Sequence, residues 1–128
     1  MKTISASILF ISIGLLAGCT TNVAVDPAGK DIGSYSSLTG TFYGAINADL
    51  EASFLATIKA IDRMGEKRTK EVNRPDKKVI YFRVVGDDEV IVTLTPRKDG
   101  VTNFSIAWGT FGDLPKSQNL FNQIRASF

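Results

Sequence analysis

Few side chains in this chain could carry out chemistry: it has no histidine and a single cysteine, Cys19. Lack of histidine removes the commonest general base, the commonest metal ligand and any Ser-His or Cys-His nucleophilic pair. One cysteine forms no intramolecular disulfide and no zinc site built on several thiolates. Carboxylates, lysines and hydroxyls remain. Asp87-Asp88-Glu89 is the densest acidic run and offers the oxygen ligands that Ca²⁺ or Mg²⁺ prefer. It is too short for an EF-hand loop and sits where a hairpin must turn, so it reads as a solvated turn. Asp113 with Asp87 or Asp88 could serve a hydrolase that needs only two carboxyl groups about 5–9 Å apart. Gly109-Thr110-Phe111-Gly112 precedes a helix, whose free N–H groups could bind an anion. It lacks the Lys-Ser/Thr pair of a P-loop, and Asp113 at the cap would repel a phosphate. The motif Gly109, Phe111, Gly112, Asp113 therefore reads as a structural turn, its glycines allowing the bend and Phe111 plugging against the sheet. Lys116 and Ser117 are adjacent, point in different directions on a helix, and form no dyad. Trp108, in line with Phe104 and Ile106, reads as core. No catalytic set, metal or cofactor is expected.

The 128 residues carry 15 Lys+Arg and 13 Asp+Glu, a net charge of +2 that is too small to indicate nucleic acid. That charge is unevenly spread. Between Lys59 and Arg83 there are nine basic and four acidic side chains, a larger excess than that of the whole chain. Lys67, Arg68, Lys70, Arg74, Lys77 and Lys78 make a candidate basic edge, suited to anionic lipid headgroups, lipopolysaccharide phosphates or an acidic protein. Acids are interleaved with them, and lysine is the usual protection of an exposed edge strand, so the protective role is the preferred reading.

The chain opens with Met1-Lys2 and an apolar run of 13 residues, 4–16. A bilayer-spanning helix needs about 20, so the run suits a signal-peptide core. It ends in Leu16-Ala17-Gly18-Cys19, which resembles a lipobox, the processing signal of bacterial lipoproteins. The resemblance implies a diacylglyceryl thioether on Cys19, cleavage after Gly18 and acylation of the new amino group. Several acyl chains anchor far more firmly than one. Thr20, where an Asp would favour inner-membrane retention by the enterobacterial rule, suggests transit to the outer membrane.

Residues 1–18 are thus expected as a signal peptide and 19–38 as the lipidated cysteine with a flexible tether, its 19 residues after Cys19 reaching roughly 25 Å. Residues 39–128 are expected as a single α+β domain. A short strand over 41–46 comes first. A helix follows to Met64, capped by Asn47 or Asp49, with Leu50, Phe54, Ile58 and Ile61 on one stripe and Gly65 as its stop. Residues 66–73 are mostly charged and read as an edge strand or extended loop. Strands over 78–85, 89–95 and 101–109 follow, with turns at Gly86-Asp87-Asp88 and Asp99-Gly100. A last helix starts at Leu114 behind an Asp113 cap and turns Leu120, Ile124 and Phe128 inward. The order is β-α-β-β-β-β-α. Short turns impose an antiparallel meander, and the helices have only the sheet to bury against. This predicts a four- to five-stranded antiparallel sheet with two helices on one face. Tyr81, Arg83, Thr93, Thr95, Asn103 and Ser105 lie on the other.

Gly109-Thr110-Phe111-Gly112-Asp113, Lys116-Ser117, the Ala-containing helix at 55–60 and the lipobox together resemble an uncharacterised family of short bacterial lipoproteins, a domain of unknown function ending in a G-x-F-G-D motif. The resemblance implies topology and location and supplies no chemistry. The family usually has a basic residue near Ala107-Trp108, which this chain lacks. The expected function is that of a membrane-anchored, periplasm-facing envelope lipoprotein, a non-enzymatic accessory, scaffold or binding module. Its expected partners are the membrane, through the anchor, and an envelope protein or anionic glycolipid. The carboxylate-dependent hydrolase is the alternative.

Overall fold

A computed structural model describes residues 20–24, 32–86 and 88–128. The expected signal peptide, its cleavage point at Gly18 and the acceptor Cys19 lie outside the described residues. So does Asp87.

The chain runs β1 (Thr20–Ala24), β2 (Ile32–Ser36), β3 (Thr41–Ile46), α1 (Leu50–Arg63), β4 (Lys67–Arg74), β5 (Lys77–Arg83), β6 (Glu89–Pro96), β7 (Thr102–Trp108) and α2 (Leu114–Arg125). The strands form one antiparallel sheet in the order β1-β2-β3-β7-β6-β5-β4. The α+β class and the expected succession from β3 to α2 are therefore present. Among the described residues β3–β7 supply the five expected strands, and β1 and β2, within the span expected to be a tether, add two more at the edge of the sheet. The composition of Ile32-Gly33-Ser34-Tyr35-Ser36 resembles a linker, yet its glycine has a packing role. A Cβ at Gly33 would lie 2.5 Å from the Tyr43 carbonyl oxygen and 2.8 Å from the Phe42 ring. Without one, β2 closes onto β3, in register Ser34 to Tyr43 and Ser36 to Thr41.

Alternation along the central strands puts Val90, Val92 and Leu94 of β6, Phe104, Ile106 and Trp108 of β7, and Ile80 and Phe82 of β5 on one buried face. Both helices cover it. Asp49 caps α1 by accepting the Ala52 N–H at 2.7 Å, and Gly65 ends it with a φ of 78°. Its inward side carries Phe54, Ala60 and Ile61, with Leu50 and Ile58 partly buried. Asp113 caps α2 by accepting the Lys116 N–H at 3.1 Å. Leu120 and Ile124 turn inward as expected, but Phe128 lies past the helix end and is half exposed. Phe121 is the third anchor. Its ring stands 5.4 Å from that of Phe42 and 5.6 Å from that of Phe104. It seats above Gly44, where a Cβ would come within 2.7 Å of the ring.

Candidate functional site

Among the described residues, both helices lie on the inner face and no element covers the outer one. Strand register lines up Ser34, Tyr43, Ser105, Thr93 and Val79 across five strands, with Thr41, Ala107, Ile91 and Tyr81 in the next row. Tyr43, Thr93, Thr95, Asn103 and Ser105 line an open hollow of about 430 Å³. Its hydroxyls and amide can donate and accept hydrogen bonds, and its floor is the β3–β7 backbone at Gly44 and Phe104.

The basic edge is redistributed by the sheet. β4 is an outermost strand, with a bulge between Arg68 and Lys70. Pairing puts Lys67 opposite Arg83, Lys70 opposite Tyr81 and Arg74 opposite Lys77 on the outer face. Arg68 faces the helix side, where Asp62 holds it at 2.9 Å and Glu71 pairs with it from the other flank. These two hydrogen-bonded carboxylates raise the Arg68 pKa above its ordinary value. Asp62, Arg68, Thr69, Lys70 and Glu71 line a polar hollow of about 480 Å³. Arg74 pairs with Asp76 at 3.2 Å.

Lys78 does not belong to an exposed edge. It is 5% exposed on the inner face, its Nζ 3.1 Å from Glu51, hydrogen-bonded to Asn73 and 4.9 Å from the centre of the Phe54 ring. Period-two alternation in β5 carries it inward with Ile80 and Phe82. The exposed basic margin thus consists of Lys67, Lys70, Arg74 and Lys77, with Lys70 also 5.4 Å over the Tyr81 ring.

The G-T-F-G-D turn is structural, but in a different way from the expectation. Phe111 does not plug the sheet; it is 90% exposed. The plug position beside the sheet is filled from α2 by Phe121, and the turn is held through its glycines instead. Gly40, at φ 68°, and Gly112, at φ 81°, bring the turn after β2 and the loop after β7 into backbone contact, with the Tyr35 hydroxyl beside them. Gly109, at φ 66°, approaches Asp88 and donates its N–H to the Glu89 carbonyl at 2.8 Å. Asp113 is occupied as the α2 cap, and its other oxygen lies 3.9 Å from Lys116 Nζ. Asp88 and Asp113 share one end of the sheet, but neither lines the two hollows described. Among the described residues no group of three His, Cys, Asp or Glu is placed to hold a metal ion. Among them, too, no helix is long and apolar enough to cross a membrane.

A family model described as a protein of unknown function, DUF3568, matches residues 2–127. The chain belongs to this family. The match spans the N-terminal apolar run and Cys19 as well as the folded DUF3568 domain. No curated protein matches the chain. Among solved structures, the crystal structure of CalU16 from Micromonospora echinospora is similar at 13% identity and a TM-score of 0.47, over 84% of this chain and 85% of that one.

Sequence reasoning did not single out Leu38 and Val85. They are 81% and 97% exposed, on the turns after β2 and β5. The available signals were a lone large apolar residue, Leu38, in a polar, glycine-containing stretch, and Val85 at the end of the strand expected over 78–85, next to a glycine turn.

Proposed function

We propose that the protein is a lipid-anchored lipoprotein of the bacterial envelope, facing the periplasm from the outer membrane and acting without catalysis as a small accessory or binding module. Cleavage behind Gly18 exposes Cys19 for acylation. The working surface is the outer sheet face with its basic margin of Lys67, Lys70, Arg74 and Lys77, and the partner is an envelope protein or an anionic glycolipid. The observation that carries this reading is that both helices lie on one side of a seven-stranded sheet, leaving hydroxyls, an amide and lysines on the other. A family match that begins at residue 2 supports the anchor, because it takes in the apolar run and Cys19. Against a carboxylate hydrolase built on Asp113 stands the work that Asp113 already does as a helix cap.

Two measurements test the reading. Palmitate labelling of wild type against Cys19→Ala reads the anchor: label confined to the wild type is expected, and an unlabelled wild type in a lipoprotein-processing host overturns it. Photo-crosslinkers at Tyr43 and Thr93, compared with one at Leu55 on the exposed side of α1, read the surface in intact cells. A discrete adduct from the sheet positions alone is expected. Equal yields from all three positions, or none, overturn the outer face as the binding surface.

A further inference from the structure

The antiparallel strands place their connections at two opposite ends of the sheet, and the ends differ in chemistry. At one end are residues 47–49, 75–76 and 97–100, which carry Asp49, Asp76, Arg97, Lys98 and Asp99. At the other are the turns after β2 and β5, the loop after β7 and the connection from α1 to β4, which include Glu66, Asp87, Asp88 and Asp113. Their outermost side chains are Leu38, Val85 and Phe111, the three most exposed large apolar residues among those described, at 81%, 97% and 90%. Single exposed apolar residues are ordinary. These three are not scattered, because the loops that bear them touch. A Cβ on Gly40 would meet the Phe111 carbonyl at 2.5 Å, and one on Gly109 would meet Asp88 at 3.3 Å. The loops that bear Leu38, Phe111 and Val85 therefore adjoin at one end of the sheet.

Register places the start of the described chain at that same end. Thr20 pairs with Ser36, the last residue of β2 before the Leu38 turn, and the same row continues through Thr41 to Ala107. Cys19 is the residue immediately before Thr20.

We propose that this end of the domain is a membrane-docking surface, in which Leu38, Val85 and Phe111 enter the interfacial zone of the leaflet that holds the acyl chains on Cys19. The inference rests on the lipoprotein reading above and adds an orientation and a second point of attachment to it. A bilayer is the occupant that fits. The acceptor for its lipid immediately precedes the first residue of β1, Leu38, Val85 and Phe111 are themselves uncharged, and apolar side chains on a polar support bind the interface shallowly. Asp87 and Asp88 in the turn of Val85, and Asp113 in the loop of Phe111, would be costly to immerse, which limits the docking to shallow insertion of the three apolar side chains. Lys67, at the same end of β4, lies level with the headgroups and suits anionic lipid.

The test uses the full, acylated chain reconstituted in phosphatidylethanolamine–phosphatidylglycerol vesicles. Leu38→Cys, Val85→Cys, Phe111→Cys and, at the charged end, Lys98→Cys variants are labelled with an environment-sensitive fluorophore, acylated Cys19 having no free thiol. Blue-shifted emission from positions 38, 85 and 111, with at least twofold quenching by a shallow spin-labelled lipid and none at position 98, is the expected result. Intact-mass analysis of the Cys19 peptide in the same samples reads the anchor separately. Acylated Cys19 with loop labels as water-exposed as the one at position 98 overturns docking and leaves the anchor standing. Unmodified Cys19 overturns the reading beneath it, and this one with it. Loop labels shielded in cell envelopes but not in pure lipid show a protein as the occupant and overturn the bilayer.

Discussion

Gly40 and Gly112 meet backbone to backbone: a Cβ on Gly112 would lie 2.4 Å from the Gly40 carbonyl oxygen. Both residues have positive φ, so a side chain at either meets conformational strain and a steric clash together. Gly112→Ala should therefore cost roughly 2–5 kcal/mol, the sum of a left-handed backbone penalty and overpacking. Gly100→Ala is the control, with a φ of 79° and nothing within 4 Å, and should cost only about 1–2 kcal/mol. Urea denaturation of the two variants checks the difference. Equal losses would show that the Gly40–Gly112 contact adds nothing to backbone strain.

Phe111 should be dispensable for folding. Its ring is almost entirely in solvent, so Phe111→Ser is expected to change stability by less than about 0.5 kcal/mol. Phe121→Ala, which empties the space between Phe42 and Phe104, should cost about 3–5 kcal/mol. Thermal melts of the pair suffice, and a large loss from Phe111→Ser would restore the plug.

Lys78 combines a buried stem with an ammonium group held by Glu51 and Asn73. Lys78→Met keeps the stem and removes the charge, and should cost less than about 1.5 kcal/mol because Glu51 remains solvated. Lys78→Ala loses the packing against Phe54 as well and should cost about 2–3 kcal/mol. A Met variant as damaged as the Ala variant would assign the value of Lys78 to its charge instead of its length.

The Arg68 cluster should respond to salt and not to pH near neutrality. The folded-state pKa of Arg68 is raised, so its contribution is fully present below the ordinary arginine range and is lost only as pH rises through the folded value. Stability measured from pH 6 to 9 should show no step that Arg68→Gln abolishes. The side chains are about one-third to one-half exposed, so Asp62→Asn should cost about 1 kcal/mol or less, and less still at high salt.

Most of the domain was legible because its signals were local. Asp49 and Asp113 cap the helices, Gly65 stops the first, and the alternation in β5, β6 and β7 fixes which face is buried. What escaped depended on contacts distant in sequence. Gly33 looks like linker until Phe42 and Tyr43 are beside it. Phe111 looks like a plug until Phe121 arrives from α2 to seat above Gly44. Lys78 is the exception: the alternation of β5 already put it on the face of Ile80 and Phe82, and only its partners Glu51 and Phe54 are distant in sequence. The surface was legible in composition but not in partition, since only register shows Arg68 facing Asp62 while Lys67, Lys70 and Arg74 face away.

The direction of the strands has a consequence for height. In the proposed orientation the sheet stands upright on the lipid, and strands of up to eight residues at about 3.3 Å each make a wall roughly 25 Å tall. A freely moving leash would let the domain meet partners from any side. With β1 beginning one residue after Cys19, the wall stands at its own footing, and whatever it binds must come alongside it, within that distance of the headgroups.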